Sequence, residues 1–295
     1  MTAVTVRVND IEICYEEFGD PQDPPTLLIM GLGGPGFWWD DDFCALLAAR
    51  GFRVIRYDNR DVGRSGSGTS AVPLGQLVRS YAGREATTEY TLDDMAADGA
   101  ALLDHLGIAS AHVVGVSMGG MIAQALTIRH PERVRSLVSM MSTTGARKVG
   151  WTHPKILARM FAKVPPGEDA YVARNLDGFR RISSPRYLET NLERQRARAH
   201  RTYAYGLNPA GTLRQLAAIV AAPDRTAELA NIRIPSAVVH GTSDPLVHVS
   251  GGKATARAIP GAELILIPGM GHDMPRELWP VLLNTIERTA KRAGA

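Results

Sequence analysis

Ser117, Asp244 and His272 lie far apart in the chain, yet they are the residue types that covalent acyl transfer needs. A serine hydroxyl is a weak nucleophile at neutral pH. It needs an imidazole as general base, and the imidazole needs an acid that fixes its tautomer and shares its charge. Ser117 stands at the centre of Gly115-Val116-Ser117-Met118-Gly119, after the apolar-rich run Ala111 to Val116 and before an apolar stretch, Met118 to His130, that stops at Pro131. Strand, sharp turn, helix is the setting in which G-x-S-x-G acts as a nucleophile elbow. Glycines on either side remove Cβ atoms that would clash in so tight a turn, and a helix N-terminus favours negative charge beside the serine. By its letters alone the motif is equally a Gly-rich turn with a capping serine.

Asp244 follows the apolar run Ser236 to His240, and His272 follows the run Ala262 to Ile267 inside Pro268-Gly269-Met270-Gly271-His272. Either residue alone reads as a loop cap. Together they place three chemical groups after three strand ends, where open α/β sheets build their sites. The order Ser, acid, His is also one this kind of site uses. Among the other histidines, His105 lies inside a helix, His130 precedes Pro131, and His153 and His200 fall in a basic helical stretch. His240 and His248, flanking the Asp244 loop, read as local packing or hydrogen-bonding groups. Asp273 is a rival acid, but a residue adjacent to His272 rarely reaches around to its ring. The oxyanion of a tetrahedral intermediate needs backbone donors. The amide of Met118 is one, and the glycine-rich Met30-Gly31-Leu32-Gly33-Gly34-Pro35-Gly36 supplies the second, assigned to Leu32, with Gly31 and Gly33 as neighbours of the substrate. This loop fits neither G-x-G-x-x-G nor a P-loop, so a nucleotide site is not expected.

These residues require a sheet to hold them. Short apolar runs alternate with helical stretches, the rhythm of βαβ units and a mostly parallel sheet. Strands are expected at Val4 to Val8, Ile11 to Phe18, Thr26 to Met30, Arg53 to Tyr57, Ala111 to Val116, Arg135 to Met141, Ser236 to His240 and Ala262 to Ile267, eight in all. The first two should form a hairpin across Asn9-Asp10. Helices are expected at Asp41 to Arg50, Leu92 to Leu106 behind the N-cap Thr91, Met118 to His130, Gly252 to Ile259, and Glu277 to about Lys291. Residues 61 to 90, rich in Gly, Ser and Thr, read as a long surface loop. The rhythm breaks after Ser142. Residues 145–232 are therefore assigned to an inserted helical lid, and residues 1–144 and 233–295 to the core. Aromatic residues of the lid are candidates to shape a substrate pocket: Trp151, Phe161, Tyr203 and Tyr205, with Phe179 and Tyr187 beside them. Some of these would serve only to anchor the lid.

A 295-residue chain that is 45% hydrophobic can bury one large core. The N-terminus alternates like a strand rather than like a signal peptide, and no run of apolar residues is long enough for a membrane span, so the expectation is a cytoplasmic protein. Cys14 and Cys44 show no metal or redox spacing and read as buried thiols; no metal or organic cofactor is expected. The net charge of +3 is unevenly spread, with 13 Lys/Arg against 5 Asp/Glu between Gly145 and Tyr205. A basic stretch of this kind is a solvated helix face or a selector of anionic substrates. Without a recognisable module it does not imply nucleic acid.

The stretch Arg56-Tyr57-Asp58-Asn59-Arg60-Asp61-Val62-Gly63-Arg64-Ser65 is similar to the D-x-R-G-x-G-x-S segment of the α/β-hydrolase superfamily, which the chain resembles along nearly its whole length. The Met30 to Gly33 loop and the Arg60-Asp61 variant resemble a bacterial carboxylesterase subgroup of that superfamily. Met30 stands where the family usually has His, and Asp61 where it usually has Gly. The resemblance implies an α/β-hydrolase fold: a mostly parallel eight-stranded sheet flanked by helices, with a helical cap. It also implies a serine esterase acting on a small-molecule ester. Relatives that dehalogenate or open epoxides place Asp at the elbow, so Ser117 argues against those reactions. Thioesterase, lactonase, carbon–carbon hydrolase and perhydrolase activity share the same three residues and stay open, as do a non-catalytic receptor role and a homodimer.

Overall fold

In the computed structural model, which describes residues 3–81, 88–156 and 166–294, the chain starts as a hairpin. Asn9 and Asp10 both adopt positive φ, 46° and 61°. Asn and Asp tolerate that region, and a two-residue turn of this hand matches the twist of its strands. Strands β1 (Val4–Val8) and β2 (Ile11–Phe18) pair antiparallel, with Val8 opposite Ile11. β2 then pairs antiparallel with β4 (Arg53–Tyr57). From there the sheet is parallel through β3 (Pro25–Ile29), β5 (Ala111–Val116), β6 (Val134–Met140), β7 (Ser236–Gly241) and β8 (Glu263–Ile267). The spatial order is β1-β2-β4-β3-β5-β6-β7-β8.

The central strands alternate between two cores, as the period of two requires. Leu27, Ile29, Val113 and Leu137 face one; Leu28, Val114, Val116, Val138 and Met140 face the other. Helices α3 (Leu92–His105) and α4 (Met118–Arg129) cover the first, α1 (Asp41–Ala48) and the C-terminal α10 (Trp279–Lys291) the second. α3 starts with a reciprocal cap, in which Asp94 N donates to the Thr91 hydroxyl and the Asp94 carboxylate accepts from Thr91 N. Cys14 and Cys44 are buried free thiols, and burial pushes Cys44 up to about 12. No described helix is long and apolar enough to cross a membrane.

Residues 61 to 90, expected as loop throughout, contain a helix, α2 (Leu74–Tyr81). Its partner lies far away in sequence, which is why local composition hid it: Leu77 packs on Leu216 and Ala217 of α7 (Pro209–Ala221). Between β6 and β7 the described chain is helical, with α5 (Glu168–Ile182), α6 (Leu188–Tyr205), α7 and the short α8 (Thr226–Leu229) before α9 (Ser250–Ala258) follows β7. α5 and α6 share a small apolar cluster of Val172, Leu176 and Ala199.

Candidate active site

β5 is buried along its whole length and delivers Ser117 to its C-terminal end. Ser117 has φ 57° and ψ −121°, a conformation that costs a residue with a side chain about 1–3 kcal/mol. The surroundings hold it there. Ser117 N donates to Met140 O at 2.8 Å, and Ser117 O accepts from Gly120 N at 2.9 Å. Both flanking glycines are needed for contact: a Cβ on Gly115 would lie 2.1 Å from Gly119 O, and one on Gly119 would lie 2.1 Å from Ile29 O.

The acid and the imidazole come from the loops after β7 and β8, which press together so closely that a Cβ on Gly241 would lie 2.1 Å from Met270 O. His272 Nδ1 and Asp244 Oδ2 are 2.7 Å apart. The other oxygen, Oδ1, accepts from the amides of Leu246 and Val247, each at 2.9 Å. Burial opposes a charge on Asp244, but His272, His240 and the Val247 amide outweigh it and hold the carboxyl well below the usual carboxylate range. Asp273 is engaged elsewhere, accepting from Ser184 N at 2.9 Å and from its hydroxyl at 2.6 Å. His240, read from sequence as a local packing or hydrogen-bonding group, is fully buried against the acid: its Nε2 lies 2.8 Å from Val247 O and 3.4 Å from Asp244 Oδ2. It sits one residue before the end of β7, and that position was the signal for it.

The Met30 to Gly34 loop lies over the serine. A Cβ on Gly31 would be 3.1 Å from Ser117 Cβ. Asn59 donates to Met30 O at 2.9 Å, and Gly33 N donates to Gln215 Oε1 of α7 at 2.8 Å. Gln215 Nε2 in turn donates to Arg60 O at 2.7 Å. Among the described residues, the amides of Leu32 and Met118 meet no acceptor. The fourth-strand loop is tied down through side chains. Asp58 Oδ1 accepts from Gly36 N at 2.6 Å, and its Oδ2 accepts from the Tyr205 hydroxyl at 2.9 Å. Asp61 adopts φ 71°, which explains why glycine is usual there. What Asp61 adds is a carboxylate, which takes two bonds from Arg214 of α7 at 2.7 and 2.9 Å and one from the Tyr90 hydroxyl at 2.6 Å.

Ser117 stands where two cavities meet. The first, about 380 Å³, is lined by Gly31, Leu32, Ser117 and His272, and across from them by Trp38, Tyr171, Asn175, Phe179, Gln195 and Arg198. The second, about 390 Å³, shares Leu32 and Ser117 and adds Met118, Trp151 and a largely apolar wall. Tyr203 and Tyr205 line neither cavity. Tyr203 packs at 45° on Tyr171 and joins α6 to α5, while Tyr205 stands edge-on to Phe37 and bonds Asp58, so it anchors α6 to the body. Gly33 also lines neither and is taken up by Gln215. Phe161 lies outside the described residues. Phe179, one of the lid aromatics expected at a pocket, lines the first cavity from α5; Tyr171, Asn175 and Ile182 beside it went unassigned in sequence, and their i, i+4 spacing with Phe179 was the available sign. Among the described residues, no three His, Cys, Asp or Glu side chains converge as a metal site would require.

A family model for the α/β-hydrolase fold matches residues 24–275. The chain belongs to that family. This α/β hydrolase is 30% identical over 290 residues, 92% of each chain, to a rhodomycin D methylesterase from Streptomyces sp. strain C5. Its fold also superposes on the enol-lactonase from Burkholderia xenovorans LB400 with a TM-score of 0.76 at 24% identity, covering 98% of this chain and 100% of the other. An esterase from Rhodococcus sp. ECU1013 matches with a TM-score of 0.75 at 22% identity, covering 99% of each chain. At these identities the two structural likenesses are of fold alone.

Proposed function

We propose that this α/β hydrolase is a serine esterase that cleaves a carboxylic ester through Ser117, His272 and Asp244, by way of an acyl-enzyme. The observation that carries the reading is the 2.7 Å contact between His272 Nδ1 and a doubly amide-bonded Asp244, with the imidazole lining the same cavity as the strained Ser117. With Asp244 on Nδ1, the opposite ring nitrogen is left to take the serine proton. Ser117 Oγ attacks the ester carbonyl as His272 Nε2 accepts its hydrogen. The oxyanion is received by the amides of Leu32 and Met118, the two without protein acceptors, and the helix α4 dipole adds to them. His272 then gives the proton to the departing alcohol, and a water deprotonated by the same ring releases the acid. Helices α5 to α7 act as the lid over this site. The methylesterase relative supports ester cleavage over other acyl chemistry.

The test is hydrolysis of p-nitrophenyl esters of graded acyl length. A burst of nitrophenol is expected from the wild type. Ser117→Ala and His272→Ala should each lower kcat/KM by roughly four or more orders of magnitude with the melting temperature kept, and Asp244→Ala by somewhat less. A Ser117→Ala variant as active as wild type rules the reading out.

A further inference from the structure

The arginines of α6 differ in what they do. Arg194 is occupied by Asp40 at 3.2 Å, Asn191 at 3.0 Å and Met274 O at 3.1 Å. Arg196 points to solvent beside Glu193. Arg198 lines the first cavity, its guanidinium 5.0 Å over the Trp38 ring and bonded by one Nη to Gln195 Oε1. Its Nε is buried with no acceptor, and no carboxylate comes within 4.0 Å of it among the described residues. The two nearby acids are committed, Asp40 to Arg194 and Asp273 to Ser184. Burial and the neighbouring Arg194 push Arg198 down to about 10, which leaves it charged at neutral pH. Asp273 also lines this cavity, but it is held by Ser184 and burial raises its carboxyl above the usual range; a buried cation with no carboxylate in contact is costly unless a ligand supplies one.

The two cavities also divide the groups of the reaction. His272 lines only the first, and Met118 only the second. The imidazole must hand its proton to the leaving oxygen, so the leaving half belongs on its side. The second cavity, walled by Leu77, Met121, Leu216, Ile219 and Val220, suits an apolar acyl chain. Its buried cation, Arg225, is already bonded to Gln124 at 3.3 Å and Thr143 O at 3.1 Å. In the first cavity, Arg181 pairs with Asp177 through two bonds.

We infer that the preferred substrate is an ester whose acyl half is apolar and whose alcohol half carries a carboxylate, seated in the His272-side cavity against Arg198. This rests on the esterase reading above and names the substrate class of that site. The guanidinium carries a fixed charge and Nη–H donors that Gln195 alone does not exhaust, so it can give a carboxylate a charge-assisted bond.

The experiment compares butanoate esters of 4-hydroxybenzoate and of 4-hydroxybenzamide, which differ in charge on the alcohol half, with phenyl hemisuccinate, which carries its charge on the acyl half. Wild type should favour the 4-carboxyphenyl ester, and in Arg198→Met the ratio of kcat/KM for carboxylate over carboxamide should fall about 10- to 100-fold, the loss of a charge-assisted bond. Arg198→Lys should keep most of that preference, and free 4-hydroxybenzoate should inhibit wild type more strongly than Arg198→Met. A ratio unchanged in Arg198→Met, or a preference for the hemisuccinate, overturns the inference. If none of the three esters is turned over, or Ser117→Ala turns them over equally, the esterase reading itself fails.

Discussion

Leu27, Leu28 and Ile29 at the centre of the sheet are sealed from water on both faces, whereas the shared cluster of α5 and α6 consists of Val172, Leu176 and Ala199. The helical segment between β6 and β7 places Ala218 of α7 and Leu229 of α8 in the first core, but it is also joined to the sheet half of the molecule by polar ties, three of them from α6: Arg214 to Asp61, Tyr205 to Asp58, Thr202 to Trp38 at 3.0 Å, and Asn191 to Glu277 at 3.0 Å. Burial of apolar surface is non-directional, so it stabilises without fixing a pose. Hydrogen bonds and ion pairs specify distance and angle. The sheet half therefore gets its stability from area, and α6, outside both cores, gets its position from a few particular side chains.

Cutting the strongest tie is the most direct way to break this contrast. Asp61→Asn keeps a residue that tolerates the left-handed backbone but leaves Arg214, only 5% exposed, with no charged partner nearer than Glu89 at 3.8 Å. A loss of about 3–5 kcal/mol is expected in urea unfolding, with α7 opened to limited proteolysis. A loss below about 1 kcal/mol would mean that packing on α2 places α7 without the ion pair. Next in size, Leu27→Ala should cost about 2–5 kcal/mol, and Leu176→Ala should fall at or below the lower end of that range because its small cluster can collapse around the gap. Equal values would erase the distinction between the two regions.

The sheet has its own pH-sensitive point, and that sharpens the comparison. His112 in β5 is 1% exposed, bonds Ser136 at 2.8 Å, and is pushed down to about 4 by burial and by Arg135. Its folded value lies below the value of about 6.5 for an unfolded chain, so the neutral ring stabilises the fold above that pH, and this contribution is lost as pH falls from about 6.5 to 4. His112→Gln should flatten the pH dependence of unfolding in that window by on the order of 2–3 kcal/mol, measured as urea midpoints at pH 7.5, 6, 5 and 4. A wild-type curve unchanged by the substitution would place the acid sensitivity in the helical ties instead.

The same division explains what could be read from the sequence. The eight strands and the elbow were legible because each is a local pattern: a continuous apolar run such as Ala111 to Val116, a turn such as Asn9-Asp10, a glycine before and after Ser117. Asp244 and His272 could be singled out because strand ends were legible. What lay hidden depends on register around a helix or on distant partners. Arg194, Arg196 and Arg198 are alike as letters, and only the turn of α6 sends the third into the cavity. Tyr205 looked like a pocket ring and is an anchor for Asp58, a contact across 147 positions. α2 was missed because its packing surface, α7, comes from a segment more than a hundred residues further along the chain.

Gln215 holds Gly33 with one end of its amide and the Arg60 carbonyl with the other. A fully buried side chain, held at both ends of its amide, thus interlocks α7, which borders the second cavity, with the glycine loop beside Ser117. Displacing α7 would therefore pull on the peptide next to Leu32, so the seat of this helix and the path of the loop over the serine are set by one side chain rather than two.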